Sequence, residues 1–301
     1  MPRRLLITFF RDFGESGNDP AVSVYRLLLL QEYDTIIKRS DGAESNVREE
    51  RDGTQSICIA LIGITAVTEA ETMKNEGLNA RQKNIVPIAA FTASGDLQRL
   101  KPALSDGLDA GLTINEIKEI LVQMYAYAGF PRCLNGINTF MVVLDERQAK
   151  GIKDEMGKEA SPVPAGMNKN EYGAKVRARL AGQEVIPPPS GYQLFTPAID
   201  TFLKEHLFAD IFARDNLDFQ TRELVTISAL AGMTGTAGQL RFHLGAAMNT
   251  GLTEAQMRHF IAVLKSRVGN KEAESADEIL GMVVSDRHAA TPSVNVRRKS
   301  K

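Results

Sequence analysis

An internal repeat of helical type is the feature that most constrains how this 301-residue chain can fold. Residues 217–253 align with the earlier residues 78–113. The leucines that open both stretches match, as do the Gly-Leu-Thr sequences that close them, with one residue inserted between. Self-similarity of this kind is typical of one supersecondary unit used twice.

Each copy carries an apolar stripe at i, i+3, i+4, i+7 and i+8, which is the spacing of one helix face. The stripe residues are Leu100, Ala103, Leu104, Gly107 and Leu108 in the first copy, and Leu240, His243, Leu244, Ala247 and Met248 in the second.

Each copy also carries the signals that end this helix and begin the next one. Gly111 and Gly251 follow the stripes as C′ glycines. Thr113 stands three residues before Glu116, the spacing of a capping box, and Thr253 repeats the pattern in the second copy. Both copies are therefore predicted to contain a helical hairpin.

From residue 78 onward the pattern is helical, without the alternation that is typical of strands. We expect helices at residues 114–127, 134–145, 171–180 and 197–214, and Ala-Gly-Phe-Pro at 128–131 ends the first of them. The sequence predicts an all-α fold of two helical repeats in tandem. The repeats are placed at 71–145 and 196–288, with a proline-bracketed linker at 146–195 and a tail at 289–301.

Residues 1–70 are predicted to be a poorly ordered N-terminal region that contains a signal-peptide-like segment at 56–70. This segment has about 11 apolar residues, with Thr68 and Ala70 at cleavage-site spacing, and it is too short to span a bilayer. A buried helix or strand explains it equally well. The protein is exported or periplasmic in the first interpretation and cytoplasmic in the second.

Composition argues against several classes of function. The net charge is -1, with basic and acidic residues intermixed, so no nucleic-acid-binding surface is expected. Cys58 and Cys133 are far apart, and neither belongs to a Cys-x-x-Cys motif. The four histidines lack metal-ligand spacing, so we predict no metal site.

Three motifs together resemble the carboxymuconolactone decarboxylase family, which also contains the alkylhydroperoxidase D-like proteins. They are Leu217-x4-Arg222-Glu223-Leu224-Val225 and His243-Leu-x2-Ala-x3-Gly251-Leu-Thr in the second copy, and Tyr127-Ala-Gly-Phe-Pro131 in the first. The resemblance implies an all-α fold built on a helical hairpin, no cofactor, and a homo-oligomer. For a tandem chain we expect a dimer or trimer.

The peroxidase branch of this family carries Glu followed by Cys-x-x-Cys-x-x-x-His. Counted back from His243, the two cysteine positions hold Thr236 and Gln239 in this chain. A nucleophile that attacks a peroxide must be a thiolate, so dithiol peroxidase activity is disfavoured. We interpret Thr236 and Gln239 as a capping box, and we expect Cys133 to be buried.

The remaining resemblance is to the decarboxylase set. Loss of carbon dioxide from an enol-lactone acid requires a group that holds the carboxylate and an acid that protonates the carbon left behind. His243 is the candidate proton donor and acceptor, and Glu223 the residue that orients its ring. Arg222 and Tyr127 are the candidate substrate-binding residues. In the competing interpretation His243 is core packing and Arg222 is a solvated surface residue.

The family pattern is divided between the two copies. The second copy has Glu223 and His243, but it has Arg267-Val-Gly-Asn-Lys in place of Tyr-Ala-Gly-Phe-Pro. The first copy has the tyrosine motif, with Asn84 and Ala103 at the glutamate and histidine positions. Our hypothesis is that each chain forms one composite site, or that the first copy is a structural partner.

The leading functional hypothesis is a cofactor-independent lyase that acts on a small carboxylated lactone or related acid. It binds neither nucleic acid nor metal and has no membrane span. One alternative is a peroxidase-type oxidoreductase of the same family, and the other is a non-catalytic oligomeric binding or scaffold protein. A wet cleft with His243 at its floor favours an enzyme, whereas dry packing around that histidine favours a scaffold.

Overall fold

Three helices form the first copy: α1 (Ala80–Ser94), α2 (Leu97–Asp109) and α3 (Ile114–Ala149). The computed structural model describes residues 77–290, so the signal-peptide-like segment at 56–70, Cys58 and the tail from residue 291 lie outside the described residues. The predicted caps are confirmed in this copy. Gly111 has a left-handed φ of 89°, and the Thr113 hydroxyl accepts from the backbone N–H of Glu116.

The helix α3 contains both helices predicted for residues 114–145, joined by a sharp break instead of a loop. Gly129 lies at the break with φ 81° and ψ 160°, a conformation that is far from helical and that favours glycine. Pro131 then begins the second stretch, where its missing N–H costs little. The break places Tyr127 at the end of the first stretch.

The connecting segment contains α4 (Lys169–Leu180), α5 (Tyr192–Phe195) and α6 (Pro197–Phe202), and the chain then continues as a π-helical segment, Leu203–Ile211. The prediction of a helix at 171–180 is confirmed, whereas the helix expected at 197–214 is π-helical over much of its length. The α4 helix packs so closely on this segment that a Cβ at Gly173 would collide with the Lys204 carbonyl.

Buried ion pairs also tie the connecting segment together ahead of the second copy. Asp200 accepts from Arg177 at 2.6 Å and from Gln193 at 2.9 Å, and the Lys204 ammonium lies 2.8 Å from its second oxygen. Burial alone would raise the pKa of Asp200, but the hydrogen bonds from Lys204, Arg177 and Gln193 outweigh it and lower that pKa to about 2.

The second copy contains α7 (Phe219–Ala231), α8 (Ala237–Asn249), α9 (Glu254–Val263), a short π-helical segment (Leu264–Val268) and α10 (Asn270–Ala290). Its caps repeat those of the first copy. Gly251 has φ 113°, and Thr253 with Gln256 forms the predicted capping box. The chain between α9 and α10 turns at Gly269, the counterpart of Gly129.

At the centre of the fold α1 packs against α7. Every residue from 85 to 93 in α1 and from 222 to 231 in α7 is buried, so both helices are surrounded on all sides. One hydrophobic core contains side chains from both copies. Within residues 77–290 there is no strand, and no helix there is long and apolar enough to cross a membrane.

Candidate active site

The helix α7 supplies the buried carboxylate of the site. Asp218, the residue after Leu217, is the N-cap of this helix and accepts from the backbone N–H of Thr221. Glu223 follows in the second turn and is fully buried. A buried carboxylate requires hydrogen-bonding partners, because an isolated charge is costly in an apolar interior.

His243 on α8 is the partner of this carboxylate. Its Nδ1 lies 2.7 Å from Glu223 Oε2, and its side chain keeps 8% of its surface exposed. With an ionised carboxylate at that distance, Nδ1 carries the proton, so Nε2 is the nitrogen that is available for proton exchange. No described residue forms a hydrogen bond to Nε2. A short bond that orients the ring, with the second nitrogen left open, is the geometry of a general acid or base.

Two aromatic rings enclose the imidazole. The ring of Phe242 lies 5.1 Å from that of His243, and the ring of Tyr127 lies 5.7 Å away, both in edge-to-face geometry. Phe242 belongs to the same helix as His243, but Tyr127 comes from α3 of the first copy. The structure therefore brings Tyr127, Glu223 and His243 together, and the residues of this cluster come from both copies.

The hydroxyl of Tyr127 is buried. Burial raises the pKa of the Tyr127 phenol above its ordinary value of 10.0, and the negative charge of Glu223 raises it further, whereas a hydrogen bond with Thr226 opposes the rise without cancelling it. The phenol therefore remains a neutral hydrogen-bond donor throughout the neutral pH range. Glu223 Oε1 has no hydrogen-bond partner among the described residues.

Arg222 points away from this cluster, although it is adjacent to Glu223 in sequence. It is fully buried, so it is not the solvated residue of the competing interpretation. Its Nη2 donates to Glu119 Oε1 at 2.8 Å and to the Arg214 carbonyl at 2.6 Å, and its Nη1 donates to Gln123 at 3.0 Å. These contacts are structural ties between the two copies.

Glu119 and Gln123 were not identified by the sequence analysis, although both are buried beside the site. Glu119 also accepts two hydrogen bonds from Arg214, at 3.0 and 2.9 Å. Gln123 donates to the Arg222 carbonyl at 2.9 Å and to the Thr226 hydroxyl at 3.0 Å. The only sequence signal was the spacing of two polar residues four apart on α3, which is also typical of an exposed face.

The equivalent positions in the first copy form no acid–base pair. Ala103 occupies the histidine position, and Asn84 occupies the glutamate position. Arg267, the counterpart of Tyr127, donates to Asn84 Oδ1 at 2.7 Å and forms an ion pair with Asp106 at 2.9 Å. Arg267 thus provides a hydrogen-bonding partner for both Asn84 and Asp106.

The predicted capping box at Thr236 and Gln239 is wrong. The Thr236 hydroxyl donates backwards to the carbonyls of Leu230, at 2.8 Å, and Met233, at 3.3 Å, so it caps the end of α7 and makes no bond to the start of α8. The carbonyls that end a helix lack partners inside it, and a hydroxyl one turn beyond the helix satisfies them.

Cys133 is buried, as expected, and its thiol lies 3.2 Å from the Leu121 carbonyl. Burial raises the pKa of the Cys133 thiol, which disfavours the reactive thiolate. Within residues 77–290 no group of three or more histidine, cysteine, aspartate and glutamate side chains has the arrangement of a metal site.

Two surface grooves lie outside the cluster. The larger, of about 500 Å³, runs between α8 and α10 and includes Phe242 and Ala246, the neighbours of His243 on its helix. The smaller, of about 340 Å³, lies where α1 and α7 begin. Neither groove is lined by His243, Glu223 or Tyr127. Phe242, whose ring packs on that of His243, is one of the residues that line the larger groove.

Comparison with known proteins places the chain in a family. The sequence model of the carboxymuconolactone decarboxylase family matches residues 63–139 and 197–280, which is more than half of the chain. The chain therefore belongs to the carboxymuconolactone decarboxylase family, and the predicted all-α fold with two tandem copies is confirmed. The first match begins inside the segment 56–70, upstream of Ala70.

A curated relative supports the same family. The 4-carboxymuconolactone decarboxylase of Acinetobacter baylyi is 26% identical to this chain over 126 residues. The matched region covers 42% of this chain and 93% of that protein.

Proposed function

We propose that this protein is a cofactor-independent lyase that removes carbon dioxide from a small carboxylated lactone or a related acid. The family and the name of the curated relative support this class of reaction. The observation that carries the proposal is the buried contact of 2.7 Å between His243 Nδ1 and Glu223, with Nε2 unbonded among the described residues.

In the proposed reaction, the bond between the substrate carboxylate and the lactone ring breaks, and its electron pair enters the conjugated system of the ring. Carbon dioxide leaves, and protonated His243 delivers a proton from Nε2 to the carbon that held the carboxylate. Glu223 holds the ring in position and stabilises the imidazolium before transfer. Atoms and charge balance without a cofactor.

Arg222 is not part of this chemistry in our proposal. Both terminal nitrogens of its guanidinium already donate to described groups, and the side chain is fully buried. Removing it from those partners would leave the Glu119 carboxylate buried with Arg214 alone. We therefore infer a structural role for Arg222 and retain His243 and Glu223 as the reacting pair.

The test is the release of carbon dioxide from 4-carboxymuconolactone by the full-length protein and by His243→Ala. A lost general acid costs about 10²–10⁴-fold in rate, so we expect a loss of that size in kcat/KM. His206→Ala is the matched control, because its ring also bonds a carboxylate at 2.9 Å, that of Asp210, but 51% of the His206 side chain is exposed. An equal loss in both variants, or full activity in His243→Ala, contradicts the proposal.

A non-catalytic scaffold is the second candidate, and the low exposure of His243 favours it. In a scaffold the pair of His243 and Glu223 fills the core, so His243→Ala changes stability or oligomer size and there is no turnover to lose. Turnover by the wild-type protein together with a folded, inactive His243→Ala variant excludes this candidate. The peroxidase alternative requires thiols, and blocking them with iodoacetamide tests it directly.

We also propose that the chain forms a homo-oligomer, a dimer or a trimer, whose ligand is a small carboxylic acid or lactone. Exposed apolar side chains on the second stretch of α3 support the first part: Leu134 and Met141, two turns apart on one face, are 53% and 58% exposed. Light scattering of the wild type and of Leu134→Lys tests it. A monomeric wild type contradicts it.

A further inference from the structure

The larger groove lies along the helix that carries His243. Phe242 lines this groove, and the ring of Phe242 packs edge-to-face on that of His243 at 5.1 Å. A ligand that rests on Phe242 is therefore one ring away from the histidine. The groove has a volume of about 500 Å³, and small-molecule sites have volumes of about 300–1,000 Å³.

Two glycines of α8 leave space in this groove. Gly238 and Gly245 are two turns apart, on the side of the helix that faces the groove. A Cβ at Gly238 would meet open space, and one at Gly245 would lie 4.0 Å from Val283 on the opposite wall. Neither glycine has a left-handed φ, so the backbone does not require glycine there. The missing side chains thus keep the groove open, although glycine weakens the helix.

The charged side chains that line the groove are two arginines and one aspartate. They are Arg241, Arg287 and Asp286, so positive charge is in excess. Arg241 is 55% exposed, and its Nη2 donates to Asp286 at 2.7 Å. Its other guanidinium nitrogens form no hydrogen bond with any residue from 77 to 290. The fork of N–H donors on a guanidinium matches a carboxylate, so a carboxylated ligand complements this groove.

One end of the groove is held in place by hydrogen bonds between its walls. Asn249 of α8 donates to the Leu180 carbonyl at the end of α4, at 2.9 Å, and accepts from Arg287 of α10 at 2.8 Å. These contacts fix the three walls relative to one another before any ligand binds. A preformed site binds more tightly, because the ligand does not have to order it.

We propose that this groove binds the acid on which the protein acts, with Arg241 holding a carboxylate of the ligand and Phe242 packing on its carbon skeleton. The inference rests on the proposed function and deepens it, because Arg222 is buried and bonded elsewhere and provides no such site. An ion pair with the departing carboxylate would stabilise the substrate more than the transition state. Arg241 therefore holds a second carboxylate, which the reaction retains.

The first measurement is binding without turnover. The probe is benzoate, which joins one carboxylate to an aromatic ring, and benzamide is its neutral counterpart of similar shape. Nuclear magnetic resonance of ¹⁵N-labelled histidine in the full-length protein follows the titration at fixed pH, with the His243 signal identified by its loss in His243→Gln. We expect benzoate to shift that signal saturably, and benzamide to bind about fivefold more weakly or less.

Two variants separate the charge of the groove from its volume. Arg241→Gln removes the cation and Gly245→Leu fills the open space, and each should weaken benzoate binding by about fivefold or more. Arg258→Gln is the control for the first, because Arg258 is 59% exposed and bonds Glu254 at 2.7 Å but does not line the groove. Gly281→Leu is the control for the second, because a Cβ at Gly281 also meets open space, on α10 outside the groove.

Saturable benzoate binding that both groove variants weaken, and that neither control changes, supports the inference. Equal affinities for benzoate and benzamide overturn it, and so does an equal loss in Arg241→Gln and Arg258→Gln. The absence of saturation at millimolar benzoate has the same consequence. Arg241→Gln keeps the test decisive even where Gly245→Leu does not fold.

Kinetics on 4-carboxymuconolactone connects the groove to the reaction. Because Arg241 holds a part of the substrate that does not react, Arg241→Gln should raise KM by about fivefold and change kcat by less than about twofold. An unchanged KM overturns the inference. Benzoate binding in a wild type that releases no carbon dioxide leaves a carboxylate site in the groove and removes the lyase. Turnover without benzoate binding does the reverse.

Discussion

The two copies share helices, caps and turn glycines, yet only the second contains an acid–base pair. At the equivalent positions the first copy has Asn84 and Ala103, and Arg267 of the other copy bonds the asparagine at 2.7 Å. The helical repeat therefore also folds with a neutral amide and a methyl group at the positions that Glu223 and His243 occupy in the second copy. Packing alone does not require the pair, which is the strongest internal argument that it serves chemistry.

The comparison also shows how the copies depend on each other. Tyr127 of the first copy reaches the pair in the second, and Arg267 of the second reaches the counterpart in the first. Each residue follows from the same place in the repeat, just before the break at Gly129 or Gly269. Each copy thus contributes one residue to the cluster of the other copy, and only the second copy's cluster contains a pair of a carboxylate and a histidine.

The largest expected difference between the copies is in activity. We expect Glu223→Gln to lower kcat/KM for 4-carboxymuconolactone by about 10²–10⁴-fold, because an amide no longer stabilises the imidazolium. Asn84→Ala should change it by less than about threefold, a surface-like effect, since the Asn84 side chain touches Arg267 and not the pair. Steady-state kinetics on both folded variants measures the contrast. A comparable loss in the two would mean that the cluster around Asn84 also takes part in the reaction.

The next difference is in stability. Arg222→Met leaves Glu119 with one cation fewer in a fully buried position, and breaking such a pair costs about 3–5 kcal/mol. Lys83 occupies the equivalent position in the first copy and is only partly buried, so Lys83→Met should cost less than about 0.5 kcal/mol. Urea unfolding at neutral pH gives both values. Equal losses of unfolding free energy would show that the buried ion pair of Arg222 with Glu119 does not stabilise the fold.

Local signals were enough to predict most of the fold. Capping boxes at Thr113 and Thr253, the C′ glycines and the break at Gly129 depend on neighbours a few residues away, and each is found as expected. The helix at Lys169–Leu180 was also predicted from residues within the segment itself. Thr236 shows the limit of this approach, because a hydroxyl between two helices has two sets of backbone groups within reach and the sequence does not say which it bonds.

The site was less predictable because its contacts join distant parts of the chain. The pair of Glu223 and His243 followed from the family motif, and the structure shows their contact. The competing interpretation of Arg222 as a solvated residue is wrong, because its surroundings depend on how α3 packs against α7. The burial of Glu119 and Gln123 has the same origin. No periodicity within one helix reports which of its polar faces another helix will cover.

The connecting segment offers a smaller effect that depends on pH. Asp200 has a pKa of about 2 in the fold against an ordinary 3.8, so the fold binds this proton less tightly than the unfolded chain does. Its contribution is present above pH 3.8, is worth about 2 kcal/mol, and is lost as the pH falls toward 2.

The test compares the unfolding free energies of the wild type and of Asp200→Asn at pH 6, which lies above both pKa values, and at about pH 2.5, which lies between them. The wild-type advantage should shrink as the solution becomes more acidic, because Arg177 and Lys204 then lose their charged partner. An advantage that stays constant with pH would mean that the ion pairs of this segment do not stabilise the fold.

The smallest effect tests whether the copies are equivalent where they look equivalent. Gly111 and Gly251 both have left-handed φ values, 89° and 113°, and an alanine at either position is strained by about 1 kcal/mol. A Cβ at Gly111 meets open space, whereas one at Gly251 lies 3.1 Å from the end of the Gln220 side chain, which can rotate away. Gly111→Ala and Gly251→Ala should therefore cost the same within about 0.5 kcal/mol by urea unfolding. A much larger cost at Gly251 would show that the hairpin carrying His243 is held more rigidly than its counterpart, so that the copies differ in their backbone as well as in their side chains.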